Sequence, residues 1–403
     1  PINSINVIVG PNNTGKSSLL ESVWMLLSTI KSSNSKGRQI LSPPLYDFFD
    51  SRQIKHLVNE KKEEIGITVR LEQENDISMK GVFVQETIPN DLYDPLKVYL
   101  DKSVDYERLL FTTPDGIKGF GSLLSVMLGD ILKIDDENIK LDLNKDDLKK
   151  MEEDEELKNE LKEFEEHKKT EIANIRKDII RSEKIFLKTE AGEQKKLMMY
   201  SKSKYIDDVI TLQEDIVNIP DIQVLFNSHH HMVDIGELYD ELIHRNRLKP
   251  VRDYLQNKIP YLTDIVKSEE GMQVLLNDMN ESIPLSNMGD GFNALVKLSF
   301  MAPMMDKGIA IFEEPEVTMH PGFLEILAEE ILNNSENTQF FITSHSHEFV
   351  EYMLTKAREK NRSDSINIIR MERLPNGRLD REIISGEDAL EEVEKIKTDL
   401  RGY

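Results

Sequence analysis

Cysteine is absent from all 403 residues. That excludes a disulfide framework and any zinc site built on thiolates, and it confines redox chemistry on sulfur to methionine. Long apolar runs are missing too. Nothing approaches the roughly 20 residues that a membrane-crossing helix needs, and no signal-peptide pattern opens the chain. The expected location is the cytoplasm, with no membrane partner. Positive charge is scarce: 51 Lys and Arg stand against 74 Asp and Glu, for a formal net charge of -23. Phosphate binding needs local Lys and Arg, so any DNA contact must be confined to a patch. An apolar run begins almost at once after Pro1, so the sequence reads as starting inside a domain.

What is present describes a globular chain with a very polar surface, 39% hydrophobic and 31% charged. Its length allows two or three domains. Ile5 to Val9 is a short β-rich run, followed by a Gly-rich turn and then helical spacing from Ser17 to Ile30. Gly66 to Leu71 and Ser78 to Val84 alternate as antiparallel strands do. From about Asp135 to Lys204 the composition turns to Lys and Glu with almost no Gly or Pro, which predicts a projecting helical insertion. Its later part, Arg176 to Lys204, is basic. The plain reading is a solvated helix pair laced with i,i+4 ion pairs. The sharper one is a DNA or partner contact through Lys195, Lys196, Lys202 and Lys204. Ile222 to Phe226 predicts another strand, and Ile235 to Val266 mostly helix. Ile309 to Phe312 and Gln339 to Thr343 have the form of buried parallel strands, joined by a helix over Gly322 to Leu332. Asn376-Gly377, between Ile366 to Leu374 and Arg378 to Ile384, is a strong hairpin signal. An amphipathic helix follows Gly386.

Four segments carry chemistry. Gly10-Pro11-Asn12-Asn13-Thr14-Gly15-Lys16-Ser17 matches the phosphate-binding loop pattern in full, between a strand and a helix. Its glycines let backbone N–H groups turn toward phosphates, Lys16 is placed to reach the β- and γ-phosphates, and the Ser17 hydroxyl to ligate Mg²⁺. Ser18 follows in the same helix start. Ile309 to Phe312 leads into Glu313-Glu314-Pro315-Glu316, an apolar strand ending in carboxylates, as a metal and an attacking water beside a triphosphate require. Glu313 is read as holding the Mg²⁺ shell and Glu314 as orienting or deprotonating water. Taken alone, this segment could equally be a strand ending in an acidic turn. Thr343-Ser344-His345-Ser346 ends the next strand, where a histidine can donate to a γ-phosphate. Leu285-Ser286-Asn287-Met288-Gly289-Asp290-Gly291 runs into an apolar helix, and Ser with backbone N–H groups at a helix start makes an anion site. His229-His230-His231 invites a metal reading, but adjacent side chains on a strand do not converge.

In order and spacing these segments resemble the ABC-ATPase superfamily. Within it the chain is most similar to the overcoming-lysogenization-defect (OLD) and related AAA15/AAA21-type ATPases, cousins of the RecF, SMC and Rad50 heads. Asn12-Asn13, Glu313-Glu314-Pro315-Glu316 with His320-Pro321, and Thr343-Ser344-His345-Ser346 carry the likeness. It covers residues 1 to 30 and about 283 to 350. Glu313 stands where most of the superfamily has Asp. Ser-Asn-Met-Gly-Asp-Gly replaces the usual Leu-Ser-Gly-Gly-Gln signature, and Gln53, Gln85 and Gln213 all remain open as the glutamine-loop residue.

The resemblance implies an α/β ABC-type head: a mixed β-sheet core, a flanking antiparallel sheet and a charged helical insertion. The parts would be an N-terminal ATPase lobe at 1–134, the insertion at 135–220 and a C-terminal ATPase lobe at 221–403. ATP and Mg²⁺ are the implied cofactors. Gly10, Asn12, Asn13, Thr14, Gly15, Lys16, Ser17 and Ser18 would bind nucleotide, with Glu314, His345 and Lys16 catalytic. Ser286, Gly289 and Gly291 would reach the phosphates of a second copy in a head-to-tail homodimer or higher homo-oligomer. OLD proteins carry a C-terminal Toprim nuclease. The 58 residues after His345 are too few for one and hold no Asp-X-Asp pair, so a nuclease or effector is expected to be a separate polypeptide. Two functions follow. One is an ATPase of DNA repair or anti-phage defence that passes its nucleotide state to DNA or a nuclease. The other is an ATP-stabilised scaffold that sequesters an effector with little turnover. A transporter motor fits the insertion and signature less well.

Overall fold

Every residue of Ile5–Val9 is buried, which alternation allows only when both faces of a strand are covered. This strand, β1, lies inside a six-stranded sheet. The computed structural model describes residues 2–30, 64–69, 77–84, 90–102, 181–191, 193–202, 207–214, 223–228, 233–305 and 307–396, with six single positions besides. Helix α1 is Lys16–Ile30. Then come β2 (Glu64–Val69), β3 (Ile77–Val84), α2 (Asn90–Lys102), β4 (Lys184–Ala191), β5 (Gln194–Lys202), β6 (Asp207–Glu214) and β7 (Gln223–Asn227). Helices α3 (Ile235–His244) and α4 (Leu248–Lys258) lead to β8 (Leu262–Ser268), β9 (Gly271–Leu276) and β10 (Ile283–Pro284). The remainder is α5 (Asp290–Met301), β11 (Gly308–Glu313), α6 (Pro321–Asn334), β12 (Thr338–Thr343), α7 (His347–Glu359), β13 (Ile366–Arg373), β14 (Leu379–Ser385) and α8 (Gly386–Glu391).

The main sheet runs β14-β13-β1-β12-β11-β7. Only β14 is antiparallel to its neighbour. Alternate residues serve two cores. Ile5, Val7, Val9, Ala310, Phe312, Phe340 and Ile342 join the layer of α3, α5, α6 and α7. Ile8, Phe226, Ile311, Phe341 and Ile369 pack instead on Leu20, Trp24 and Leu27 of α1. The far side of α1 meets a five-stranded antiparallel sheet, β2-β3-β4-β5-β6, through Ile185, Leu187, Met198 and Tyr200. Trp24 stacks on Phe226 at 5.1 Å between centroids. The helix that opens at the phosphate loop is thus clamped between two sheets, so its first turn is fixed from both sides. The α/β class with a mixed sheet and a flanking antiparallel sheet is as expected.

Two expectations fail. The segment 184–214, assigned to the helical insertion, forms β4, β5 and β6. Its lysines suggested a solvated helix, yet Lys184 and Lys196 are 0% and 1% exposed, because they alternate with apolar residues in a covered sheet. Lys196 therefore cannot belong to an exposed basic patch, whereas Lys195 is exposed beside Glu190 at 3.8 Å. Lys204, the side chain of Lys202 and the acidic part of the insertion lie outside the described residues. The second failure is Leu262 to Val266, expected as helix. It is part of β8, which pairs with β9 at the edge of a small antiparallel sheet, β10-β9-β8, that leads into α5.

One buried carboxyl ties α5 to α6. Ser299 Oγ donates to Glu330 Oε2 at 2.5 Å. Burial pushes the Glu330 carboxyl up to about 7, against that hydrogen bond, which favours the ionised form. Between the ordinary carboxylate range and pH 7, the folded chain holds a proton that the unfolded chain has released. Stability contributed here therefore falls as pH rises through that window. Glu330→Gln should melt higher than wild type at pH 8 and lose most of that advantage at pH 4.5. Thermal melts at the two pH values check it, and an equal difference at both would refute the assignment.

Candidate nucleotide site

Three loops come together because β1, β12 and β11 are parallel neighbours. Register pairs Ile8 with Thr343 and Thr343 with Glu313, so the residues that follow these strands all emerge at one carboxyl edge. Ligands of open α/β sheets bind at that edge.

The phosphate loop leaves β1 at Gly10, whose φ of +144° is open to glycine. A Cβ there would lie 2.2 Å from the Met371 carbonyl oxygen of β13. Gly15 (φ +82°) and Asn13 (φ 62°) are also left-handed. Asn12, Asn13 and Ser18 are exposed, Ser17 is half-buried and Thr14 is buried. Thr14 Oγ1 donates to Pro11 O at 2.8 Å and closes the loop. Lys16 is 5% exposed. Its ammonium donates to the carbonyls of Gly10 and Pro11, both at 2.9 Å. Burial pulls its pKa down, partly offset by the negative charge of Glu314. No acidic side chain occupies the first turn of α1, so nothing there competes with an anion for its N–H groups. Gly10→Ala should destabilise the chain by roughly 2 kcal/mol or more, since strain and a backbone clash add. A urea titration measures it, and an unchanged midpoint would contradict the packing.

Glu313 follows Ile311 by two positions and so shares the sheet face that packs on α1. Glu314 has φ 44°, a conformation that costs a non-glycine residue about 1–3 kcal/mol. Its N–H is held by both the carbonyl and the hydroxyl of Thr343 at 3.1 Å. Such strain persists only where the surroundings over-determine it. His345 Nε2 lies 3.3 Å from Glu314 Oε1. The chain after β12 is bound on both sides: Ser344 N donates to Ile8 O at 3.1 Å, and Ser344 Oγ donates to Glu316 Oε1 at 2.8 Å.

The structure thus unites Lys16, Glu314 and His345. Ser286 and Gly289 are exposed. Ser286 sits in a 3₁₀ turn, Leu285–Met288, and not at the helix start expected of it; α5 begins at Asp290 after Gly289 (φ 83°). A Cβ on Gly291 would lie 2.5 Å from the Thr318 carbonyl oxygen, so α5 abuts the loop that follows the carboxylates. Gln53 and Gln85 lie outside the described residues, as do His229, His230 and His231; Gln213 is in β6. The sequence reading gave no role to Thr343 or Glu316. The third carboxylate of the Glu313-Glu314-Pro315-Glu316 run was the available signal for Glu316.

A family model described as an AAA ATPase domain, AAA_15, matches residues 1–350. The chain belongs to the AAA_15 family. ATP binding and hydrolysis are therefore the chemistry of this site in broad terms. Solved structures with a related course of chain include an SMC head bound to the C-winged helix domain of ScpA, at 11% identity and TM-score 0.40, over 97% of this chain and 93% of that one. The SMC head from Pyrococcus furiosus, with an extended coiled coil and the C-terminal domain of ScpA, aligns at 13% identity and TM-score 0.39, over 99% and 94%. That of Pyrococcus yayanosii aligns at 12% and 0.39, over 99% and 96%. No curated protein matches this AAA_15 chain. No helix among the described residues is long and apolar enough to cross a membrane.

The donor set suits a magnesium ion. Ser17 and Glu313 offer two hard oxygens, and Mg²⁺ is commonly held by one or two protein oxygens plus substrate phosphates and water. No group of three or more candidate metal ligands occurs among the described residues, and a nucleotide-bound Mg²⁺ does not need one.

Proposed function

We propose that this AAA_15 chain is an ABC-type ATPase head that hydrolyses Mg-ATP at the β1–β12–β11 edge, within a site completed by a second copy. The observation that supports it most is the pairing of Glu314 with His345 at 3.3 Å, beside a phosphate loop whose lysine senses the Glu314 charge. On binding, Lys16 exchanges the carbonyls of Gly10 and Pro11 for the β- and γ-phosphates. Ser17 and Glu313 would hold Mg²⁺, which neutralises phosphate charge when bound. Glu314 orients the attacking water and takes its proton as oxygen bonds to the γ-phosphorus and ADP departs. His345 keeps the carboxylate in place through Nε2, and with ATP bound that N–H is shared with the γ-phosphate. Ser286, exposed in the single chain, would supply the trans contact.

The wider role we propose is in DNA repair or anti-phage defence, with the nucleotide state passed to DNA or to a separate nuclease or effector. Light scattering of wild type and Glu314→Gln, with and without Mg-ATP, tests the shared site. A mass that doubles only with ATP in the variant supports a cycling dimer. A mass already multimeric and indifferent to ATP would replace it with the standing scaffold that sequesters an effector.

A further inference from the structure

Glu316 stands two residues past Glu314 and takes no part in the chemistry above, yet it is 9% exposed and aimed into the same edge. The three hydrogen bonds that its carboxylate accepts from the loop after β12 fall on one oxygen. Oε1 accepts from Ser344 Oγ at 2.8 Å, His345 N at 2.7 Å and Ser346 N at 3.2 Å. Oε2 is buried with no hydrogen-bond partner among the described residues. A buried carboxylate gains most by spreading donors over both oxygens. Here the three donors come from three consecutive residues and converge on one atom, which is the geometry of a clamp.

The clamp joins two loops that must act together. On one side Glu316 is fixed to Glu314 through the rigid Pro315, whose ring sets φ, and through the turn in which Val317 N donates to Glu314 O at 3.1 Å. On the other side it grips the backbone of His345 itself. The strands beneath register Glu313 with Thr343, but that pairing ends before the histidine. Beyond it, one further backbone bond, from Ser344 N to Ile8 O at 3.1 Å, holds the chain, and side-chain and turn contacts decide where the imidazole points. Burial pushes the Glu316 carboxyl up, opposed by a hydrogen bond from its own backbone N–H and by the three donors of the Ser344–Ser346 loop.

We propose that Glu316 is a positioning residue: through Oε1 it fixes the Ser344–Ser346 backbone so that the His345 ring is held against Glu314 during ATP hydrolysis. The proposal rests on the roles given to Glu314 and His345 above. It makes a specific claim about chemistry, because the work is done by an acceptor oxygen and not by negative charge. An amide oxygen in the same place is also an acceptor, with two lone pairs to offer those donors.

Steady-state ATP hydrolysis and binding of a fluorescent ATP analogue, measured on the full chain, separate the alternatives. Glu316→Ala should lower kcat on the order of a hundredfold, the cost of a misplaced catalytic group. Analogue affinity should stay within about threefold, since the phosphate loop is untouched. Glu316→Gln should recover most of the lost kcat. A Gln variant as slow as the Ala variant, with analogue still bound, would show that charge is needed and would overturn the clamp. So would an Ala variant that turns over like wild type, or one whose KM rises at constant kcat. If Glu316→Ala does not fold, Ser344→Ala removes one of the three donors. It should cost several-fold in kcat, and an unchanged kcat would equally overturn the proposal. Glu314→Gln, assayed in parallel, guards the premise. Wild-type turnover in that variant would sink the catalytic reading itself, whereas a slow Glu314→Gln with an active Glu316→Ala sinks the clamp alone.

Discussion

Lys16→Met should lose ATP turnover by at least about a thousandfold, the scale at which removing a single preorganised charge from a phosphoryl-transfer site acts, while the folded chain melts no lower than wild type. The two halves of this expectation come from the same environment. Lys16 is 5% exposed, and its ammonium is held by two carbonyl oxygens of its own loop. Burying a cation in such a place costs desolvation, which is why its pKa is drawn down. A methionine of similar length removes that cost but strands the carbonyls of Gly10 and Pro11, and the two effects offset each other. What nothing replaces is the charge that meets the phosphates. Isothermal titration with ATP and Mg²⁺ should show affinity falling by roughly a hundredfold, about the worth of a desolvated charge pair. A Lys16→Met protein that binds and hydrolyses ATP within tenfold of wild type would remove the phosphate loop from the mechanism.

Glu314→Gln is the second large effect and differs in kind. The amide keeps the side chain's shape and the backbone at φ 44°, with its N–H still on Thr343. Only the proton acceptor is lost. General-base contributions run to about 10²–10⁴ in rate, so kcat should fall by that factor with ATP affinity retained or improved. Single-turnover hydrolysis with radiolabelled ATP reads this directly, because uncleaved nucleotide should remain on the protein. Loss of binding together with turnover would instead point to a structural role for the carboxylate at its strained position. His345→Ala offers a cross-check. It removes the 3.3 Å partner of Glu314, so its effect and that of Glu314→Gln should be less than additive, as for groups that act as a unit.

Much of this was legible along the chain, because local rules govern short segments. The apolar run of Ile5–Val9, the glycines at 10 and 15 and the helix from Lys16 were readable from periodicity and turn chemistry. The same holds for the strands Gly308–Glu313 and Thr338–Thr343, and for the Asn376-Gly377 hairpin. Where composition spoke for solvent and packing decided otherwise, reading failed. Lys184 and Lys196 sit in strands with apolar neighbours, and a Lys- and Glu-rich stretch gives no local sign that it will pair into a sheet and be buried. Residues 262–266, the end of a stretch read as mostly helix, were misread for a similar reason: β8 exists through its pairing with β9.

The sequence by itself determined which residues can hold phosphate and which can take a proton, since those capacities belong to the side chains and to the dihedral freedom of the loop. It could not determine that β12 lies between β1 and β11, because strand order is set by pairing between residues more than 300 positions apart, such as Ile5 and Phe340. From that order come the meeting of His345 with Glu314, the burial of Lys16 near the same carboxylate, and the three donors gathered on Glu316. Each depends on groups from segments that share no local periodicity, and only the closed sheet brings them within reach.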